Sequence, residues 1–260
     1  AGGVTGGLER ALGWLPSATR VLVIKDVRIF WRDPAQWSQF VLFFGILAVY
    51  LANLGGLDAA QRPSWRRWIA LLNAGASMLI LATLTTRFTY PLISLEGRRI
   101  WLLGLAPLRR RQLVGQKFAL SVAITALFAL GLTAMAGWRL SLDPIAFAVT
   151  ALGVAAATIA LSALAVGLGG LYPNFEEAHP ARIVSGLGGT LNFLLSVAFV
   201  VVVGVAQGVA LHADALAARF ALASAGWVYA GAAAWLLVWT LLATALPLRW
   251  GARSLERTEF

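Results

Sequence analysis

Residues 145–170 read IAFAVTALGVAAATIALSALAVGLGG, and this stretch decides the fold class because it contains no charged side chain. About 20 apolar residues in a helix are enough to cross the hydrocarbon core of a bilayer. A helix also satisfies its own backbone hydrogen bonds, which lipid cannot do. Asp143 and Pro144 precede the stretch as an N-cap and a proline at the first helical position. The stretch therefore predicts a membrane-spanning helix with a defined start.

Five further stretches of the chain have the same apolar character. The six predicted spans are 37–54, 68–86, 118–137, 145–170, 187–211 and 222–246. The whole chain is 60% hydrophobic and 12% charged, with a mean hydropathy of +0.79, whereas soluble domains are about 25% charged. The long strand-like alternation of a membrane barrel is missing. We predict an all-α polytopic membrane protein with six transmembrane helices.

The segment Thr19–Arg32 precedes the first span and has the pattern of an amphipathic elbow helix lying on the membrane. Lys25, Arg28 and Arg32 fall on one face of it and apolar side chains on the other. Asp33, followed by proline, then predicts an N-cap for the first span. The predicted organisation is a flexible segment 1–18, a six-helix domain 19–248 with the elbow at 19–32 and a cytoplasmic loop at 87–117, and a tail 249–260.

The basic residues predict the orientation of these spans. Sixteen of the 21 Lys and Arg residues lie in the N-terminal segment, the loops after the second and fourth spans, and the tail. Cytoplasmic loops carry such an excess, so both termini are predicted to be cytoplasmic, in a bacterial inner membrane. The net charge of +10 belongs to this alternating pattern and forms no continuous basic face, so we do not expect a nucleic-acid partner.

Several kinds of chemistry lack their parts in this sequence. The chain has no cysteine and no G-x-x-x-x-G-K-[ST], G-x-S-x-G or H-E-x-x-H motif. The predicted spans carry no ionisable group in their central turns, which an ion-driven transporter would need. We therefore predict a protein that is not itself an enzyme, holds no cofactor or metal, and depends on an external source of energy.

Two predicted cytoplasmic loops carry the candidate functional residues. The loop 87–117 has an apolar run between charged ends, which favours docking to a soluble partner over simple attraction to anionic lipid. In the loop between the fourth and fifth spans, Asn174 and Glu177 predict a helix cap, and the loop is expected to make a second contact with the same partner. A metal bound at its Glu-Glu-x-His cluster is the weaker alternative. The candidate interface residues are Glu96, Arg98, Arg99, Trp101, Leu102, Glu176 and Glu177.

Polar residues within the spans, such as Asn192 and Gln207, have two interpretations. They join helices by hydrogen bonds, which is the commoner role, or they line a substrate path. Glycines near the inner ends of the fourth and fifth spans are likewise expected to permit close helix packing rather than to act as hinges.

Three segments carry a resemblance to a known family. KDVRIFWRDPAQWSQF (25–40), RFTYPLISLEGRRIWLLGLAPL (87–108) and LYPNFEEAHPARIVSGLGGTLN (171–192) resemble, in that order, bacterial ABC-transporter permeases of the type-2 exporter class. The resemblance implies a six-helix half that begins with an elbow helix and docks on P-loop ATPase subunits through cytoplasmic coupling helices. Residues 19–32 match the elbow and 94–105 the first coupling region.

The resemblance also implies that the chain is the C-terminal half of a longer permease, since such proteins are about twice as long. Its partner would then be a second six-helix half, or another copy of the chain. The resulting hypothesis is a permease subunit of an ATP-driven exporter whose ATP hydrolysis takes place in a separate subunit. The alternative from another class is a scaffold or accessory subunit of a larger membrane complex that transports nothing.

Overall fold

The computed structural model describes residues 17–32, 34–53, 63–99, 110–177, 179–221 and 224–257. These residues are almost entirely helical, with no strand among them. In chain order the helices are α1 (Ser17–Arg32), α2 (Pro34–Asn53), α3 (Pro63–Leu84), α4 (Arg110–Arg139), α5 (Pro144–Leu171), α6 (Pro180–Val184), α7 (Leu187–Leu211), α8 (Ala213–Arg219) and α9 (Gly226–Arg257). The predicted all-α fold class is confirmed.

Five apolar helical segments in the described part of the chain are long enough to cross a membrane. They are Trp65–Glu96, Arg111–Arg139, Pro144–Leu171, Leu187–Leu211 and Gly226–Arg257. The bounds predicted for the fourth and fifth spans agree with α5 and α7 within one residue. The first predicted span coincides with α2, which is not one of the five.

Helix α5 lies at the centre of the bundle and packs against α3, α4, α7 and α9. Every residue from 160 to 170 is buried, which fits a helix that is apolar all round. Its start follows the predicted signal, because the Asp143 side chain accepts a hydrogen bond from the Ala146 N–H at 3.1 Å and Pro144 follows it. The small side chains of α5 let four helices surround it closely.

Glycines set a close helix crossing between the end of α5 and the last turns of α9. A Cβ on Gly167 would meet the backbone of Pro247, and one on Gly251 would meet the Gly167 carbonyl. Gly170 faces Gly251 across the same seam. The expected packing role of Gly167 and Gly170 is therefore what the structure has, since only glycine lets the two backbones approach this closely.

The predicted bounds of the other spans were too short. Helix α4 begins at Arg110 instead of Phe118, and α9 continues past Leu246 to Arg257. After α3 the chain continues as a π turn over Thr85–Thr89 and as 3-10 turns over Tyr90–Leu92 and Ser94–Arg99. A regular α-helix would bring the ring of Pro91 against the carbonyl of Arg87, so the helix widens before the proline and tightens after it. The described residues of the loop predicted at 87–117 are thus helical, and its apolar run lies outside them.

Candidate functional site

Four charged side chains meet at one end of the bundle, and we call Lys25, Asp26, Glu96 and Lys117 the charge cluster. Lys117 Nζ lies 2.9 and 2.8 Å from the two carboxylate oxygens of Asp26 and 2.6 Å from Glu96 Oε1. Lys25 Nζ lies 2.7 Å from both Glu96 oxygens. Gln116 donates to Asp26 Oδ2 at 2.9 Å. Two carboxylates and two ammonium groups therefore neutralise each other.

The charge cluster joins three elements that are distant in the sequence. Lys25 and Asp26 come from α1, Glu96 from the 3-10 turn after α3, and Lys117 from the second turn of α4. Because α1 and α4 pack against each other, the side chains of Asp26 and Lys117 meet next to the turn that carries Glu96. Through these bonds α1, which the sequence predicts to be an elbow helix, is attached to the segment predicted for coupling.

Burial makes the pairing in the charge cluster obligatory. The side chain of Lys117 is 1% exposed, that of Asp26 5% and that of Glu96 10%, whereas Lys25 is 37% exposed. An unpaired charge in such surroundings costs several kcal/mol, roughly 3–5 when one partner of a buried pair is removed. The three protons of the Lys117 ammonium group match its three acceptor atoms, so its buried charge is fully compensated.

Lysine occurs in this chain only at the charge cluster. Lys25 and Lys117 are its only lysines, and the remaining basic residues are arginines. An ammonium group is a compact charge with three donors on a flexible stem, while a guanidinium is a planar fork that needs more room. The compact ammonium group of Lys117 donates to both carboxylates of the cluster.

The second predicted loop packs against the turn that carries Glu96. Ser94 Oγ is buried and accepts a hydrogen bond from the Asn174 N–H at 3.1 Å. Tyr90 is buried in the 3-10 turn that precedes Ser94. A Cβ on Gly169 would meet the Tyr90 backbone carbonyl, and a Cβ on Gly188 would meet the Tyr90 hydroxyl. The two loops are therefore one structural unit at the end of the bundle.

The predicted capping box at Asn174 is wrong. Asn174 Oδ1 accepts from the N–H groups of Glu176 and Glu177 at 3.2 and 3.3 Å, but no helix starts there. Pro180 begins α6 and Gly186 precedes α7, neither with a side-chain cap. Asparagine side chains form such local turns as readily as helix caps, and the sequence pattern did not distinguish the two.

Some polar side chains inside the bundle join helices, whereas threonines such as Thr133 and Thr158 bond to the carbonyl four residues back in their own helix. Asn192 of α7 donates to Thr86 Oγ1 at 2.8 Å, and Gln207 of α7 donates to the Thr150 carbonyl of α5 at 3.0 Å. Ser121 donates to Ser162 at 3.0 Å, joining α4 to α5. These bonds agree with the helix-joining interpretation of the intramembrane polar residues.

The structure describes only part of the set of interface residues predicted from the sequence. The Glu96 carboxylate is bound by the two lysines, Glu176 is exposed, and Glu177 accepts from the His179 N–H at 3.1 Å and from Arg182 at 3.5 Å. Arg28 is exposed on α1. Asp33, Trp101 and Leu102 lie outside the described residues, as do the side chains of Arg32, Arg98 and Arg99. The docking role of this set stays a prediction.

Sequence reasoning missed Asp26 and Lys117. Lys117 was interpreted as the end of a loop because a charge usually marks the membrane boundary, yet it is a buried residue of α4. Asp26 is the only acid in α1, among basic residues, and this isolated opposite charge was the signal that could have found it. In the described part of the chain, no group of three His, Cys, Asp or Glu residues could hold a metal ion.

Comparison with known protein families decides the wider assignment. A family model described as "Putative ATP-binding cassette" matches residues 5–260. The chain belongs to this ATP-binding cassette family. No curated protein and no solved structure matches it. The ABC resemblance seen in the sequence is confirmed at the level of the family, and the type-2 exporter permease class is not part of what the match supports.

The family match contradicts two predictions made from the sequence. We predicted a permease subunit that has no ATPase activity of its own. The matching family is described as an ATP-binding cassette, which points to an ATPase subunit and to ATPase activity in this chain. The accessory-subunit alternative is not favoured either. The prediction failed because it took the absence of one phosphate-binding motif as the absence of the activity.

Proposed function

We propose that this chain is a membrane-embedded ABC-family protein that takes part in ATP-dependent transport together with other ABC components. The match of an ATP-binding cassette family over 5–260 carries the proposal, and the five long apolar segments support the membrane location. The absence of a Walker-type motif means that nucleotide contacts in this chain would use groups other than a P-loop.

The membrane arrangement is part of the same proposal. Helix α2 extends for 20 residues without a charged side chain, which corresponds to about 30 Å at 1.5 Å per residue, so we include it as a sixth span. The distribution of Lys and Arg supports cytoplasmic termini in a bacterial inner membrane. On this arrangement the charge cluster lies at the cytoplasmic end, with α1 as an interfacial elbow.

The proposed partners are ATP-binding subunits of the same system and a second helical body, either another half of a longer polypeptide or a second copy. The turn that carries Glu96 and the loop that carries Glu176 would form the contact surface, because they are held together by the Ser94–Asn174 bond. In this proposal Glu96 fixes the surface from inside through Lys25 and Lys117, and the exposed Leu95 beside it faces the partner.

Photolabelling tests the proposal directly. The chain is purified from membranes together with the components that copurify with it, and the sample is placed in lipid nanodiscs. The nanodiscs are labelled with azido-ATP and assayed for phosphate release. We expect labelling that excess Mg-ATP competes away. Label on this chain would make it an ATP-binding subunit, and label on a copurified component would identify an ABC partner. No competable label on any component would overturn the proposal.

A further inference from the structure

The last turns of α9 carry arginines on successive turns of one helix face. Arg249, Arg253 and Arg257 recur at four-residue spacing. Like charges at this spacing repel each other. Among the residues that the structure describes, no carboxylate lies within ion-pair distance of any of the three arginines. The carboxylate of Glu256, which is next to Arg257 in the sequence, is paired with Arg111 at 3.2 Å. This end of α9 therefore has an excess of positive charge that the described part of the chain leaves uncompensated.

These arginines line two adjacent clefts. One cleft has a volume of about 490 Å³ and is bordered by Trp250, Arg253 and Arg257. The other has a volume of about 360 Å³ and is bordered by Arg111, Arg249 and Arg253. Arg253 belongs to both. A guanidinium presents a planar fork of donors that matches the oxygens of a phosphate group, and Arg253 lines one cleft with Arg257 and the other with Arg249.

The surroundings of the clefts indicate a membrane interface. The side chains of α9 up to Leu246 are largely apolar and exposed, and the arginines begin three residues later. Trp250 is 50% exposed beside them. Tryptophan is enriched at the level of lipid headgroups, and basic pockets at helix ends bind anionic headgroups.

We propose that the Arg249–Arg253–Arg257 face of α9 is a phosphate-binding site, with the headgroup phosphate of an anionic phospholipid as the occupant that Trp250 favours. ATP offers the same chemistry and is the other source to be distinguished. The proposal depends on the membrane location but not on which component of the system binds nucleotide.

Native mass spectrometry of the purified chain tests this site. Wild type and Arg253→Gln are incubated with phosphatidylglycerol, with phosphatidylcholine and, separately, with ATP. We expect wild type to retain phosphatidylglycerol over phosphatidylcholine, and Arg253→Gln to reduce that retention at least fivefold. Arg139→Gln is the matched control, because Arg139 is an exposed arginine over Trp138 at the other end of α4.

Each outcome decides the proposal. Loss of phosphatidylglycerol in Arg253→Gln but not in Arg139→Gln supports the lipid source, and loss of ATP binding in the same pattern supports the nucleotide source. Equal retention by wild type and Arg253→Gln of all three ligands overturns the site. Thermal unfolding of both variants checks that the fold is intact, and Arg253→Lys should keep part of the binding because it keeps the charge.

Discussion

Lys117 is the residue on which most of the charge cluster depends. It contacts both carboxylates and is more deeply buried than either. Its charge is tolerated inside a segment long and apolar enough to cross a membrane because it lies in the second turn of α4, where α1 and the Glu96 turn supply counter-charges. A charge near the end of an apolar segment can thus be a packing residue rather than the membrane boundary.

Removing this ammonium group should destabilise the protein strongly. In Lys117→Met the buried carboxylate of Asp26 loses its closest lysine and keeps only the Gln116 amide at 2.9 Å and Lys25 at 3.6 Å. We expect a loss of about 3–5 kcal/mol in the free energy of unfolding. Arg111→Gln breaks the exposed Arg111–Glu256 pair and should cost about 0–1 kcal/mol. Thermal unfolding in detergent measures both.

The double variant Asp26→Leu/Lys117→Met separates charge balance from general damage. It removes one charge of each sign and leaves Lys25 with Glu96, so it should recover much of the stability lost in Lys117→Met. A double variant no more stable than Lys117→Met would contradict the electrostatic account of this site.

The seam between α5 and α9 governs the arrangement of the longer elements. Proline at position 247 lies within α9, where it removes a backbone hydrogen-bond donor. Gly167, Gly170 and Gly251 then let the two helices approach to backbone contact. Three glycines on two helices define this crossing; the sequence predicted a packing role for Gly167 and Gly170 but not that Gly251 lies opposite them.

Alanine at Gly251 should therefore destabilise the crossing. Its Cβ would meet the carbonyl of Gly167, and overpacking of this kind costs about 1–3 kcal/mol. Gly231 lies in the same helix with nothing within 4 Å of its Cβ position, so Gly231→Ala should be neutral or stabilising by up to about 1 kcal/mol. Equal unfolding temperatures of the two variants would refute the seam.

The whole molecule has two distinct ends. The charge cluster, the Ser94–Asn174 bond and the basic face of α9 lie at one end, and the turns after α4 and α7 lie at the other. All chemistry that we assign is at the first end. The proposed orientation puts this end in the cytoplasm, where a soluble ATP-binding component could reach it.

The natural absence of cysteine allows this orientation to be measured. Glu176, Glu256 and Asp214 are exposed, and each can be replaced by a single cysteine. We expect a membrane-impermeant maleimide to label Asp214→Cys on intact cells, and the other two variants only after permeabilisation. The reverse pattern would invert the proposed topology, and labelling of Glu176→Cys and Asp214→Cys from one side would show that α7 does not span the membrane.

The sequence by itself determined the helical fold class, the bounds of α5 and α7 and the Asp143 cap, because apolar length and local capping are properties of short segments. Only the tertiary structure decided that Lys117 is buried, that Glu96 is bound from inside, and that glycines form the α5–α9 seam. Those features depend on residues far apart in the sequence, such as Lys25 with Glu96, 71 positions apart, and Asp26 with Lys117, 91 positions apart. A local sequence pattern does not show which distant charge or backbone group a residue will contact. That contact decides whether the residue stabilises the fold.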